Sequence, residues 1–89
     1  MSATEKIPTG NSNALPKVVR TSADLGQLVR SQRNKLSLRQ LDLAGLGNTG
    51  NRFIVELENG KPTVQLQKVL DVLDLLGLEV AVRAKTRTL

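Results

Sequence analysis

The composition of this 89-residue chain excludes several kinds of chemistry before any motif is considered. It has no cysteine and no histidine, so disulfides, thiolate metal sites and histidine acid–base catalysis are ruled out. A chain of this length forms one small domain with a modest core, which oligomerisation would help to stabilise, and its formal net charge is +5.

The positive charge is concentrated in the first half of the chain. Only Asp24 and Asp42 oppose the cations between residues 17 and 52, which are Lys17, Arg20, Arg30, Arg33, Lys35, Arg39 and Arg52. A local basic excess is expected of a surface that binds phosphates, although an ordinary solvated surface can have the same composition.

Nothing in the sequence indicates a membrane span, an exported protein or an enzyme. No apolar run approaches the roughly 20 residues that a transmembrane helix needs, and residues 1–16 lack an apolar signal-peptide core, so the cytoplasm is the expected location. The 8 carboxylates are scattered and no glycine-rich phosphate loop is present. We therefore expect no catalytic residues, no cofactor and no metal.

The chain is predicted to begin with a disordered segment and a first helix. Residues 1–16 are rich in Ser, Thr, Asn, Gly and Pro and show no periodicity, which predicts disorder. The first helix is expected to start after Thr21 or Ser22, either of which can cap it, with Asp24 favourably placed in the first turn. One face of this helix carries Leu25, Leu28, Val29 and Gln32 at helical spacing, and Leu36 is expected to close the apolar stripe.

Two short helices joined by a tight turn are predicted next. The second helix covers residues 38–46, where Ser37 and Gln40 fit a capping box, and the turn is Gly47-Asn48-Thr49-Gly50. The third helix covers residues 51–59 and is followed by a glycine. Its inward residues are Ile54 and Leu57, and those of the second helix are Leu38, Leu43 and Ala44.

A fourth helix is predicted over residues 64–76, with Thr63 as its cap. Its apolar stripe comprises Leu66, Val69, Leu70, Leu73 and Leu76. Val72 and Leu75 lie outside this stripe, which indicates either burial against a second subunit or a wide core face.

Residues 78–84 alternate with period two and predict a β-strand, which the loose basic tail 85–89 follows. A single strand needs a partner, either Val18-Val19 or the same segment of a second copy. The second is preferred because no other segment predicts a good strand. A dimer interface is therefore expected to include Val72, Leu75, Leu78, Val80 and Val82.

Residues 22–77 resemble the helix-turn-helix domain shared by phage repressors and many bacterial regulators. The matching positions are Arg33, Gln40, Leu43-Ala44, Asn48, Ile54 and Leu57-Glu58-Asn59-Gly60-Lys61. The subgroup most similar to the chain is the HipB-type antitoxin, which also has a run like Arg52-Phe53-Ile54 and a C-terminal strand like residues 78–84. The chain departs from the family where Arg39 replaces a Thr or Ser cap and where Asn48 replaces the turn glycine.

The resemblance implies a mainly α fold: a four-helix phage-repressor-like helix-turn-helix domain over residues 17–77, plus a C-terminal β-strand that pairs across a dimer. The third helix of this motif faces base edges, and its outward residues here are Asn51, Arg52, Val55 and Glu56. Asn51 can alternatively cap that helix, and Arg52 can alternatively contact a phosphate or remain an ordinary surface residue. Glu56 can accept from cytosine N4 or can deter wrong sequences. Expected phosphate contacts are Arg39, Gln40, Thr49, Asn59 and Lys61. Arg33 and Glu58 resemble a pair that family members hold as a salt bridge, although an exposed pair would contribute little.

The implied function is a homodimeric repressor that binds a palindromic operator in double-stranded DNA on the bacterial nucleoid. The subgroup adds a role as antitoxin to a HipA-like kinase toxin, with autorepression of the shared operon. Two alternatives remain open, which are a stand-alone phage-type repressor and a protein-interaction module that does not bind DNA.

Overall fold

The computed structural model describes residues 15–86, in which four α-helices follow one another. They are α1 (Ser22–Lys35), α2 (Gln40–Leu46), α3 (Asn51–Glu58) and α4 (Leu66–Leu75). The predicted mainly α architecture is confirmed for this part of the chain. The prediction of disorder falls almost wholly on residues 1–14, which lie outside the described residues, as does the end of the tail at 87–89.

All four helices contribute to one apolar core. Its fully buried members are Val29, Leu43, Ala44, Ile54, Leu57, Val69, Val72, Leu73 and Leu76. Leu25, Leu38, Phe53, Val64 and Leu78 pack against its edge while partly exposed. Phe53 therefore belongs to the packing of its own chain, where the Lys68 ammonium lies 5.6 Å from the ring centroid.

Helix α1 begins at a complete capping box and crosses α3 closely. The Asp24 backbone N–H donates to Thr21 Oγ1 at 3.0 Å, and the Thr21 N–H donates back to Asp24 Oδ2 at 3.2 Å. One turn later, a Cβ on Gly26 would lie 2.5 Å from the Leu57 carbonyl oxygen. The absence of a side chain at Gly26 is therefore what lets α1 approach the end of α3.

The predicted start of α2 is wrong by two residues. Ser37 does not cap α2, because it lies in the left-handed region at φ 59° and completes the end of α1. Its N–H donates to the Asn34 carbonyl at 2.9 Å, and the Leu38 N–H donates to the Arg33 carbonyl at 3.1 Å. Arg39 is the residue that precedes α2, and its N–H donates to Asp42 Oδ2 at 2.8 Å.

The inward face of α4 also differs from the prediction. Val72, expected at a dimer interface, is 2% exposed and packs in the core of its own chain. Leu66 and Leu70, expected in the core, are exposed, as is Leu75. The buried positions 69, 72, 73 and 76 follow an i, i+3, i+4, i+7 spacing. Positions 66, 69, 70 and 73 of the predicted stripe follow the same spacing, so periodicity alone could not decide which of the two stripes is buried. The helix begins after Gln65 and not after Thr63.

The C-terminal segment forms no strand within the single chain. Residues 78–86 are neither helical nor paired as β-structure, and Val18-Val19 does not pair with them. Val80 and Val82 are 58% and 95% exposed, while Leu78 packs against the core. Among residues 15–86, no helix has both the length and the apolarity required to cross a membrane.

Candidate nucleic-acid interface

Helix α3 presents one polar, outward row above a buried face. Asn51 and Arg52 are exposed, and Val55 and Glu56 are partly exposed. The other side of the helix carries Ile54, Leu57 and Glu58, all buried. Because residues three and four apart share a helix face, the four outward residues form a continuous surface.

Asn51 is the first residue of α3 and does not cap the helix. Gly50 occupies the cap position with an extended backbone (φ −75°, ψ 150°), and no side chain caps this end. The alternative role of Asn51 as a cap is therefore wrong. Its side chain stands at the exposed beginning of the outward row.

Glu58 joins the three helices around the turn through one buried carboxylate. Arg33 of α1 donates to it twice, from Nε to Oε2 at 2.6 Å and from Nη2 to Oε1 at 3.0 Å. Gln40 of α2 donates from Nε2 to Oε1 at 3.1 Å, and Arg30 of α1 from Nε to Oε1 at 3.3 Å. The structure thus brings Arg33 and Glu58 together inside the protein, at 9% and 4% exposure. The carboxylate thereby ties α1 and α2 to the end of α3.

The protonation of Glu58 reflects two opposing effects. Burial raises the pKa of its carboxyl, whereas the hydrogen bonds from Arg33 and Gln40 lower it. The net result is a pKa below the ordinary value, so Glu58 is an anion at neutral pH. The guanidinium groups of Arg30 and Arg33 together outweigh the single negative charge of Glu58, so this cluster at the end of α3 has a net positive charge.

Glu56, on the outward side of α3, is held between two cations. Its Oε2 accepts from Arg52 Nε at 3.1 Å and from Lys61 Nζ at 3.2 Å. Hydrogen bonds from Lys61 and then Arg52 lower the pKa of the Glu56 carboxyl. The Arg52 side chain is 88% exposed, so this link leaves most of it open to a ligand.

Arg39 stands exposed at the start of α2, tied to the same helix. Its Nε and Nη2 donate to the two oxygens of Asp42 at 3.1 and 2.9 Å. The guanidinium of Arg39, together with its backbone N–H, lowers the pKa of Asp42 to about 2. The Arg39 side chain is still 79% exposed, which leaves it accessible to a phosphate.

The remaining predicted phosphate contacts differ in their accessibility. Asn59 and Lys61 are exposed where α3 ends, and Asn59 Oδ1 accepts from Arg30 Nη2 at 3.4 Å. Gln40 is half-buried and turned toward Glu58. The Thr49 hydroxyl does not fit its predicted role, because its oxygen is buried and has no hydrogen-bond partner within the part of the chain that the structure describes. A buried hydroxyl cannot reach a phosphate outside the protein.

Sequence reasoning missed two residues that build this surface, Arg30 and Gly26. In the sequence Arg30 is only one member of the basic run, but in the structure its half-exposed side chain bridges Glu58 and Asn59 beside α3. Gly26 and Arg30 are four residues apart and Arg33 is three further, a spacing that places all three on one face of α1. That spacing was the available signal.

Two short helices joined by a turn, packed so that one face of the second lies open, define a helix-turn-helix domain. A comparison with known proteins agrees with this class. The chain is 50% identical over 70 residues to an uncharacterized HTH-type transcriptional regulator, y4mF, of Sinorhizobium fredii (strain NBRC 101917 / NGR234). The match covers 79% of this chain and 92% of that protein. The chain therefore belongs to the HTH-type transcriptional regulators. No protein-family model matches it.

Proposed function

We propose that the protein is a homodimeric, sequence-specific repressor that places α3 in the major groove of operator DNA. The observation that carries this proposal is the exposed row of Asn51 and Arg52 on a helix whose other face is fixed by the buried Arg33–Glu58 pair. A rigid support matters because base reading requires side chains to be held in register with the duplex.

Base contacts are assigned to the outward row. Arg52 suits guanine, whose O6 and N7 accept two hydrogen bonds from one guanidinium, and Asn51 suits adenine. Val55 is assigned the apolar contact with a thymine methyl, and Glu56 contributes to the same surface. We assign phosphate contacts to the exposed groups around this row, which are Arg39, Asn59 and Lys61, to the backbone N–H at Gln40, and to Arg30.

The dimer is proposed to form through the C-terminal segment. One face of residues 78–84 is apolar at alternate positions, from Leu78 to Ala84, and Val80 and Val82 stand exposed without a strand partner in the single chain. The exposed Leu66 and Leu70 of α4 line the same open groove as this segment. Two copies related by a two-fold axis would pair these segments antiparallel and bury the apolar groove.

Binding of purified protein to duplex DNA tests the DNA-binding part of the proposal. A selection from a random-sequence duplex library should enrich a palindrome with half-sites about one helical turn apart. Affinity for that palindrome should fall steeply between about 50 and 200 mM salt, because bound phosphates release their counterions. A protein-interaction module would enrich no sequence and show no salt-dependent affinity for DNA.

The antitoxin role is proposed on the resemblance to HipB-type proteins alone. The protein would bind a HipA-like kinase toxin encoded beside it, restrain that kinase and repress the operon of both. Co-expression with the neighbouring reading frame tests this directly. Co-purification of a kinase-like protein, with tighter operator binding by the complex, is expected. A neighbouring frame that encodes no such protein would favour a stand-alone repressor.

A further inference from the structure

Arg52 in the first turn of α3 and Lys61 beyond its last turn share a single acceptor atom on Glu56. Oε2 of Glu56 accepts from Arg52 Nε at 3.1 Å and from Lys61 Nζ at 3.2 Å. The Glu56 side chain is 27% exposed, whereas that of Arg52 is 88% exposed. The carboxylate is therefore partly sheltered, between a cation in the first turn of α3 and a cation beyond its end.

The position of Lys61 is fixed by the backbone that ends α3. The Lys61 N–H donates to the Glu56 carbonyl at 3.0 Å, and the Gly60 N–H donates to the Leu57 carbonyl at 3.1 Å. Gly60 has φ +82°, and a Cβ there would lie 2.8 Å from Ala23 Cα. These bonds form the 6→1 and 5→2 pair that stops a helix at a glycine. The backbone of Lys61 is therefore held by hydrogen bonds to the end of α3, which places its side chain beside Glu56.

The link to Glu56 also decides which nitrogens of Arg52 remain for a ligand. Nε donates to Glu56, while Nη1 and Nη2 bond to none of the residues that the structure describes. These two terminal groups remain available on an exposed side chain and can together meet O6 and N7 of one guanine. Without the carboxylate, the same side chain can bind phosphate or present a different pair of nitrogens.

We propose that Glu56 sets the sequence specificity of the surface without reading a base. It orients the Arg52 guanidinium for guanine, holds Lys61, and places a negative charge that weakens binding to any duplex on which Arg52 finds no guanine. Specificity is a difference between two affinities, so a group that lowers the affinity for the wrong partner increases it. This proposal rests on the proposed DNA-binding function.

Equilibrium binding by a Glu56→Gln variant of the full chain tests the proposal. The DNA panel comprises the selected operator, the operator with each base pair changed in turn, and a random duplex. We expect the variant to bind the random duplex several-fold more tightly, since a like charge near the phosphates is removed. Its preference for the operator should fall by about tenfold, at the same base pair whose recognition Arg52→Ala abolishes.

Two further variants separate charge from orientation. Glu56→Asp keeps the charge but shortens the side chain by one methylene, so random-duplex affinity should stay at the wild-type level while the preference at that base pair falls. Asp74→Asn removes a negative charge from an exposed position on α4 and should leave both affinities unchanged.

Two results overturn the assignment while leaving the proposed function intact. A Glu56→Gln variant that relaxes a different base pair from Arg52→Ala would mean that Glu56 reads its own base, such as cytosine N4. A variant indistinguishable from the wild type on every duplex would mean that the carboxylate has no role. A wild-type protein that enriches no sequence at all would instead remove the proposed function, and this inference with it.

Discussion

Arg33 and Glu58 form a buried two-bonded ion pair between α1 and α3, with Nε–Oε2 and Nη2–Oε1 distances of 2.6 and 3.0 Å. The third Arg33 nitrogen, Nη1, donates to the Leu38 carbonyl at 2.6 Å. One side chain therefore fixes both the chain entering α2 and the helix that faces outward. The geometry of the outward row of α3 therefore depends on a pair that is buried beneath it.

Removal of Glu58 should destabilise the domain strongly. Glu58→Ala leaves the Arg33 guanidinium buried without its anion, which costs about 3–5 kcal/mol in the free energy of unfolding. Urea denaturation at a fixed protein concentration measures this. Asp74→Ala, at an exposed carboxylate, is the control and should change stability by less than about 0.5 kcal/mol. A Glu58→Ala loss as small as that of the control would contradict a supporting role for the pair.

Acid should weaken the folded state through the same carboxylate. The pKa of Glu58 in the folded protein lies below its ordinary value of 4.5, so its contribution to stability is complete above about pH 4.5 and is lost as the pH falls through the folded-state pKa. Asp42, with a pKa of about 2, titrates in the same direction. The free energy of unfolding is measured between pH 7 and pH 3 for the wild type and for Glu58→Gln. The difference between the two curves gives the part of the pH dependence that is due to Glu58. Below pH 4.5 the wild-type curve should fall more steeply than the Glu58→Gln curve. Parallel curves would contradict a lowered pKa of Glu58 in the folded protein.

Two glycine-to-alanine substitutions should change the stability of the domain in opposite directions. At Gly26 the new methyl would lie 2.5 Å from the Leu57 carbonyl oxygen and 2.6 Å from that of Glu58, so α1 and α3 must separate. At Gly45 of α2 a new Cβ would have no atom within 4 Å apart from its chain neighbours and the backbone of its own helix. Gly45→Ala should stabilise the domain by about 0.5–1 kcal/mol through helix propensity, whereas Gly26→Ala should destabilise it by more than about 2 kcal/mol. Thermal or urea unfolding decides this, and a stabilised Gly26→Ala variant would show that the two helices do not meet as described.

Charges on the C-terminal segment should weaken the proposed dimer. Val80→Asp combined with Val82→Asp places two carboxylates where the proposed antiparallel strands meet, and like charges across a strand pair repel. Sedimentation equilibrium should show a shift toward the monomer mass. Leu41→Asp, at a similarly exposed leucine outside the apolar groove, should keep the wild-type mass. An unchanged mass for the double variant would remove residues 78–84 from the interface.

The sequence predicted the elements of the fold better than the contacts between them. Apolar spacing located all four helices, and the cap of α1 is Thr21, one of the two residues predicted for it. The caps predicted for α2 and α4, Ser37 and Thr63, were wrong. The inward face of α4 was not decidable, because two overlapping stripes share one spacing and packing selects the one that contains Val72.

The candidate site likewise combines features that the sequence predicted with contacts that it did not. The outward position of Arg52 follows from helix geometry, and the Arg33–Glu58 pair was expected from resemblance. The convergence of Arg30 and Gln40 on Glu58 depends on how α1, α2 and α3 cross, which no single segment encodes. The burial of the Thr49 hydroxyl likewise does not follow from its place in a polar turn, because Thr49 lies beside a small cavity that Lys68, Asp71 and Val72 of α4 also line.

Equilibrium binding of Arg52→Lys tests the central claim most directly, since lysine keeps the charge but loses the planar fork that fits guanine. The account predicts that affinity for the selected operator falls by about 1–3 kcal/mol while affinity for a random duplex at the same salt concentration stays near the wild-type value. Equal operator affinities for Arg52→Lys and wild type would contradict it, because Arg52 would then contribute charge alone.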